Sequence, residues 1–224
     1  FSKSKSLISN NKIKPKYNDT LAIRGILTKS PENIDNKNIA LFLGSDFHYV
    51  IYPINSSGHL NFIAIVKYQL STEEQKNYSL FSNYSFVKKV LEKIPLRNKE
   101  FLDSLKDLKV FPVFVSDNFY KLQNKNIHLI GDAFFALPPS FAQGASQSIE
   151  SAYELFKNIE NNTESNFFKN RVNKTKMVNI RSKFNQFVFH FSNPLTIFFR
   201  NIFLKRLVKN KKFLDFYLGR IYKN

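Results

Sequence analysis

The chain of 224 residues has no cysteine and no tryptophan, one methionine and only six glycines. Without cysteine it has no disulfide framework, no thiolate metal site and no cysteine nucleophile. No apolar run reaches the roughly 18 residues of a spanning helix, and the N-terminus lacks the apolar stretch of a signal peptide. Both observations fit a cytoplasmic protein, which is the location expected. The chain opens on Phe1 rather than Met and is expected to be a fragment. What is present in excess is Phe, at 25 residues, and positive charge, with 34 Lys and Arg against 17 Asp and Glu, a net +17. Lys, Asn, Ile and Phe together dominate, as AT-rich coding would produce, so the charge is discounted as a sign of partner. No recognised nucleic-acid motif accompanies it, and no nucleic-acid partner is expected. At 43% hydrophobic the chain can bury a core, in one or two domains.

Residues 1–19 are rich in Ser, Lys and Asn and read as a connecting segment. Strands are expected at Leu21–Leu27, ended by Ser30-Pro31, then at Ile39–Leu43, Tyr49–Ile54 and Leu60–Val66, the last after a Ser56-Ser57-Gly58 turn. Together they form an antiparallel meander. Residues 72–108 read as helical, with Phe86, Val87, Val90 and Leu91 on one face. Val110–Val115 carries Pro112 and is expected at a sheet edge. Residues 20–115 are thus a sheet domain with helices, 116–162 a second segment, and 163–224 a set of C-terminal helices, with a new start at Pro194.

The segment between sheet and C-terminal helices carries the most chemistry. An expected strand, Ile127-His128-Leu129-Ile130, runs into Gly131-Asp132, a Pro138-Pro139 loop and a helix from Ser146 to about Ile159 preceded by Gly144. An Asp at a strand's carboxyl end accepts hydrogen bonds from hydroxyls, where open α/β sheets bind ligands. A helix start offers free N–H groups to negative charge. The pattern suits a polyhydroxylated, electron-rich ligand.

These residues bring a family into view. Gly131-Asp132-Ala133, Pro138-Pro139, Ala142-Gln143-Gly144-Ala145 and Ser148-Ile149-Glu150-Ser151-Ala152 resemble the second FAD-binding motif of the class A flavoprotein aromatic monooxygenases, of the para-hydroxybenzoate hydroxylase fold and salicylate-hydroxylase-like. Ala22-Ile23-Arg24-Gly25 resembles the Trp-Arg-Gly-type strand of that family's substrate domain. His48 through Ile54, then Leu60-Asn61-Phe62-Ile63-Ala64, resemble its His-x-x-x-Tyr-Pro and Asn-Phe-Val-Ala strands. Arg171–Ser182 resembles the Arg- and Ser-containing helix after its flavin segment. Three departures stand out. Phe135 replaces the usual His, Ser146 replaces a frequent Asn, and no Gly-x-Gly-x-x-Gly unit is present for the ADP half of FAD. Phe1-Ser2-Lys3-Ser4-Lys5 resembles the Ser-containing, basic stretch just after the family's Asp-Gly motif, so the chain reads as the C-terminal portion of a longer enzyme.

The resemblance implies an α/β (α+β) fold: an antiparallel substrate-domain sheet, the C-terminal strand–loop–helix of an FAD-binding Rossmann-like domain, and C-terminal helices. It implies an FAD-dependent monooxygenase that uses NADH or NADPH and O2 to hydroxylate a small aromatic or similar substrate through a flavin C4a-hydroperoxide, with no covalent nucleophile. Gly131 and Asp132 would meet a ribityl or ribose hydroxyl, and Pro138 and Pro139 would line the isoalloxazine edge. The amides of Gly144, Ala145 and Ser146 would face the N1/C2 carbonyl region. Arg24, His48 and Tyr52 are the candidate substrate contacts; His48 and Tyr52 lie at i and i+4 on one strand face. A surface ion pair for Arg24 and a solvent face for His48 and Tyr52 are the alternatives, and His190 reads as a surface residue. Phe198, Phe199, Ile202, Phe203, Lys205, Arg206, Lys209, Lys211 and Lys212 describe a basic amphipathic helix. Its Phe-rich face is expected to pack on the protein, with a peripheral membrane contact as the alternative. Other flavin oxidoreductases of the same fold, or a non-catalytic remnant or membrane-surface module, are the rival functions.

Overall fold

A computed structural model describes residues 14–29, 37–54, 58–96, 99–121 and 127–219. Most of the N-terminal connecting segment, Ser30-Pro31, Ser56-Ser57 and the last five residues of the expected C-terminal helical region lie outside the described residues. The chain forms two compact units, residues 17–113 with 188–196, and residues 114–187 with 197–219.

The first unit is built on a five-stranded sheet: β1 Lys16–Leu27, β2 Ala40–Leu43, β3 Phe47–Pro53, β4 Leu60–Lys67 and β5 Leu105–Val115, in the order β2-β3-β4-β1-β5. The meander is antiparallel, with Ile23 opposite Ala64, Tyr49 opposite Ala64 and Phe42 opposite Tyr49. Residues directly opposite share a face. One face therefore gathers Leu21, Ile23, Leu27, Leu60, Phe62, Ala64, Val66, Phe47 and Ile51, all buried. Tyr49 stacks on Phe42 at 4.5 Å between ring centroids, and Phe101 of the short helix α2 (Lys99–Ser104) sets its ring edge-on to Phe62 at 5.9 Å. Helix α1 (Tyr84–Leu91) is started by Asn83, whose side chain accepts from the amides of Ser85 and Phe86, and it buries Phe86, Val87 and Val90.

Two strands run further than the residue pattern indicates. β1 begins at Lys16 and β5 at Leu105, inside the span read as helical. Each contains an Asp with left-handed backbone, Asp19 at φ 48° and Asp107 at φ 53°. Such a residue breaks the two-residue alternation by which a strand is recognised. β5 does occupy a sheet edge, as Pro112 requires.

The second unit contains a one-turn helix α3 (Gly131–Phe134), a 3-10 turn at Pro139–Phe141, helix α4 (Gly144–Glu160), most of α5 (Glu164–Phe189) and of α6 (Pro194–Leu207), and α7 (Lys211–Leu214). Residues 127–130 pair with no strand among the described residues, although Ile130 is extended at φ −130° and ψ 163°. Leu129, Phe134 and Phe135 are the centre of a small core with Phe119, Phe168 and Val172.

Gly25, the glycine of the Arg24-Gly25 pair, is dictated by β5. A Cβ there would stand 2.9 Å from Leu108 Cδ2 and 3.2 Å from the backbone oxygen of Lys106. Gly25→Val is expected to destabilise the protein by about 1–3 kcal/mol through overpacking, read as a lower urea midpoint. An unchanged midpoint would mean β1 and β5 do not approach this closely.

Candidate functional site

The Gly131-Asp132 segment is a turn that only glycine enters easily. Gly131 has φ 55°, and a Cβ on it would meet Ser148 Oγ at 2.6 Å. Its amide donates to Ser151 Oγ at 3.1 Å, and Ser151 in turn donates to the carbonyl of Ser148 at 3.0 Å. The turn is thereby fastened to α4 and leaves Asp132 exposed. On its other side the chain is held by two bonds between Ser116 and Ala136, the Ser116 amide to the Ala136 carbonyl at 2.9 Å and the Ala136 amide to Ser116 Oγ at 3.0 Å.

Helix α4 starts at Gly144, two residues ahead of the expected Ser146. Ala142 before it is left-handed at φ 52°, and Gln143 makes no side-chain cap. The first intrahelical bond is from the Gln147 amide to the Gln143 carbonyl at 2.8 Å. The amides of Gly144, Ala145 and Ser146 therefore precede the helical ladder, all three residues are exposed, and the positive end of the helix dipole lies among them. Gly144 has nothing within 4 Å of where a Cβ would stand, so its backbone faces open space.

A small, shallow cleft joins these features, lined by Gly131, Asp132, Gly144, Phe134, Phe135 and Leu137 together with Gln147, Ser151, Arg171 and Thr175. Pro138, buried, and Pro139, exposed, come next on the loop. Gln147, Ser151, Arg171 and Thr175 were not among the candidate site residues, although Ser151 lies in the Ser148–Ala152 motif and Arg171 and Thr175 in the Arg171–Ser182 helix. Arg171 is only 1% exposed and is surrounded by α4: Glu154 at 3.1 Å, Glu150 at 3.5 Å and the Gln147 side-chain oxygen, which accepts from its guanidinium. Lys174 also reaches Glu150 at 3.3 Å. Phe135, where the resembling family has His, is buried and stacked on Phe119 at 4.4 Å, so it serves the core.

Arg24, His48 and Tyr52 belong to the sheet unit and share one face of it. Arg24 is opposite Ile63 and Ile63 opposite Val50, while His48 is opposite Ile65 and Tyr52 opposite Asn61. Arg24 is exposed, Tyr52 half-buried and His48 buried. His190, read as a surface residue, is instead His48's partner: His48 Nδ1 and His190 Nε2 lie 2.8 Å apart, with the Phe189 ring edge-on to His48. The two histidines are 142 positions apart, so no local spacing could have shown the pair.

No protein-family model matches the chain, and no curated protein matches it. Solved structures do. HpxO of Klebsiella pneumoniae, in complex with FAD and uric acid, superposes with a TM-score of 0.67 at 13% identity over 97% of this chain and 56% of that one. A salicylate hydroxylase in its substrate complex gives 0.63 at 18% identity over 87% and 54%, and 2,6-dihydroxypyridine-3-hydroxylase of Arthrobacter nicotinovorans 0.63 at 15% over 84% and 55%. The chain has their fold. It spans about half the length of each of these proteins. Within this fold, the exposed Asp132 carboxylate, the open backbone at Gly144 and three amides ahead of the helical ladder make a donor and acceptor set that fits a flavin: hydroxyls at the carboxylate, an electron-rich carbonyl at the amides.

The histidine pair makes a pH prediction. Burial, and then His190, holds His48 down at about 3. Burial and Lys67 hold His190 at about 4 against the opposing pull of Asp46. Both rings stay neutral in the folded protein while the unfolded chain takes up protons near pH 6.5. Between about pH 6.5 and 4 the unfolded state binds more protons, so stability falls as pH falls. The Tm is expected to drop from about pH 7 to about pH 5, with a shallower slope in His48→Asn. An equal slope in the variant would contradict this origin.

Proposed function

We propose that the chain carries the substrate-side sheet and the ring-side flavin contacts of an FAD-dependent monooxygenase that hydroxylates a small aromatic or similar molecule, with NADH or NADPH as reductant and O2 as oxidant. The observation that carries the reading is the meeting of Gly131, Asp132 and Gly144, the first residue of α4, in the lining of one cleft.

The Asp132 carboxylate accepts from a ribityl or ribose hydroxyl, and Gly131 lets the backbone turn so that this carboxylate stays exposed. The loop at Pro138 and Pro139 borders the ring with a rigid, apolar edge. The three amides, fixed at the positive end of α4, stabilise negative charge on the carbonyl they face without reorganising. FAD, when bound, supplies hydride acceptance from the nicotinamide and activation of oxygen. The protein's remaining work is to orient the substrate and exclude water. On the sheet, Arg24 offers a guanidinium to an acidic substituent, a chemistry shared by uric acid and salicylate, the molecules named with two of the similar structures. His48 contributes as a neutral imidazole, held in place by His190, and Tyr52 as a phenol on the same face.

The 224 residues hold no Gly-x-Gly-x-x-Gly to grip the ADP half. Titration of this chain with FAD, followed by flavin fluorescence, is therefore expected to show binding weaker than micromolar, and Asp132→Ala to weaken it by a further factor of about ten. Micromolar or tighter binding would contradict the reading that these residues hold only half of the cofactor, and identical binding by the variant would contradict the assignment of Asp132.

A further inference from the structure

Helix α6 is apolar on two opposite sides. Ile197, Leu204 and Leu207 are half-buried and Arg200 is buried, at spacings that place them on one side. The other side carries Phe198, Phe199, Ile202 and Phe203, which are 59%, 54%, 36% and 59% exposed. The expectation that this Phe-rich face packs on the protein is overturned for the second unit, to which these residues belong. A contiguous exposed stripe of large apolar side chains marks a surface that meets something.

The charge around the stripe says what. Lys205, Arg206, Lys209, Lys211 and Lys212 come after it and are exposed, and the sequence has no Asp or Glu between Glu164 and Asp215. Phe199, Ile202, Arg206 and Lys209 succeed one another at helical spacing, so cations continue the line of the apolar residues. A second copy of this chain would bring the same cations against each other. A surface with hydrocarbon beneath a layer of anions meets both features together. At fourteen residues α6 is about 21 Å long. That is too short to cross a bilayer, and no helix among the described residues is long and apolar enough to do so.

We infer that α6 lies in the plane of an anionic phospholipid surface, with Phe198, Phe199, Ile202 and Phe203 inserted among the acyl chains and Lys205, Arg206, Lys209, Lys211 and Lys212 on the headgroups. This arrangement is independent of the flavin reading, since neither Asp132 nor α4 takes part in it. It places a peripheral anchor in the same unit as the cleft.

The test is sedimentation of the 224-residue chain with vesicles, without flavin. Vesicles of phosphatidylcholine alone are compared with vesicles containing one quarter phosphatidylglycerol. Binding is expected to the anionic vesicles only and to weaken as salt is added. Phe198→Ser with Phe203→Ser is expected to reduce partitioning at least about tenfold while leaving the Tm unchanged, because both side chains are exposed. Lys209→Glu with Lys212→Glu is expected to reduce it comparably, which guards against a defect peculiar to the Phe variant. Absence of binding to anionic vesicles at low salt would overturn the inference, as would undiminished binding by both variants. So would a dimer in sedimentation velocity that the Phe variant dissociates, which would make a second copy the occupant of the stripe.

Discussion

A guanidinium buried to 1% exposure cannot stand alone, and Arg171 is the group around which the cleft is organised. Its partners Gln147, Glu150 and Glu154 lie at i, i+3 and i+7 on α4. One side chain of α5 therefore fixes both the rotation and the axial position of α4. The start of α4 is the part of the site that matters most, because its first three amides precede the intrahelical ladder, which opens with the Gln147 amide on the Gln143 carbonyl. Gly131 is tied to the same helix through Ser151. The carboxylate of Asp132 and the helix dipole are thus set relative to each other by the ionic cluster around the buried Arg171 and one hydroxyl, both within a single compact unit.

Much of this could be read from residues, and the exceptions have physical causes. The meander was legible because Leu60, Phe62, Ala64 and Val66 alternate in a sheet with one aromatic face. The Gly131-Asp132 turn was legible because glycine, proline and a helix start punctuate it. Arg171 was legible as part of a helix but not as the centre of the cleft. The buried stripe of α5 runs Phe167, Arg171, Thr175, Val178 and Ser182, three of them polar. A rule that assigns hydrophobic residues to the inside reads that helix wrongly or not at all. The early part of β1 and the start of β5 were hidden by left-handed Asp19 and Asp107. The His48–His190 pair joins distant positions, and only the folded chain shows it.

The histidines also separate two kinds of chemistry in this fold. On the sheet, burial keeps an imidazole pair neutral, and Arg24 is the guanidinium among the three candidate substrate contacts on that face. In the cleft unit Arg171 and Lys174 are paired with Glu150 and Glu154, which leaves Asp132 as the exposed carboxylate among the lining residues. The likeness to hydroxylase structures at 13–18% identity establishes this architecture. The assignment of chemistry rests on the cleft itself.

That assignment is tested most directly by backbone amide NMR of the chain titrated with FAD at millimolar concentration, where weak binding is still visible. The account predicts that the amides of Gly144, Ala145 and Ser146 shift furthest, together with Asp132, and that these shifts grow when the flavin is reduced and its carbonyl region becomes anionic. Amides at 144–146 that stay in place in both redox states, while other residues respond, would contradict it.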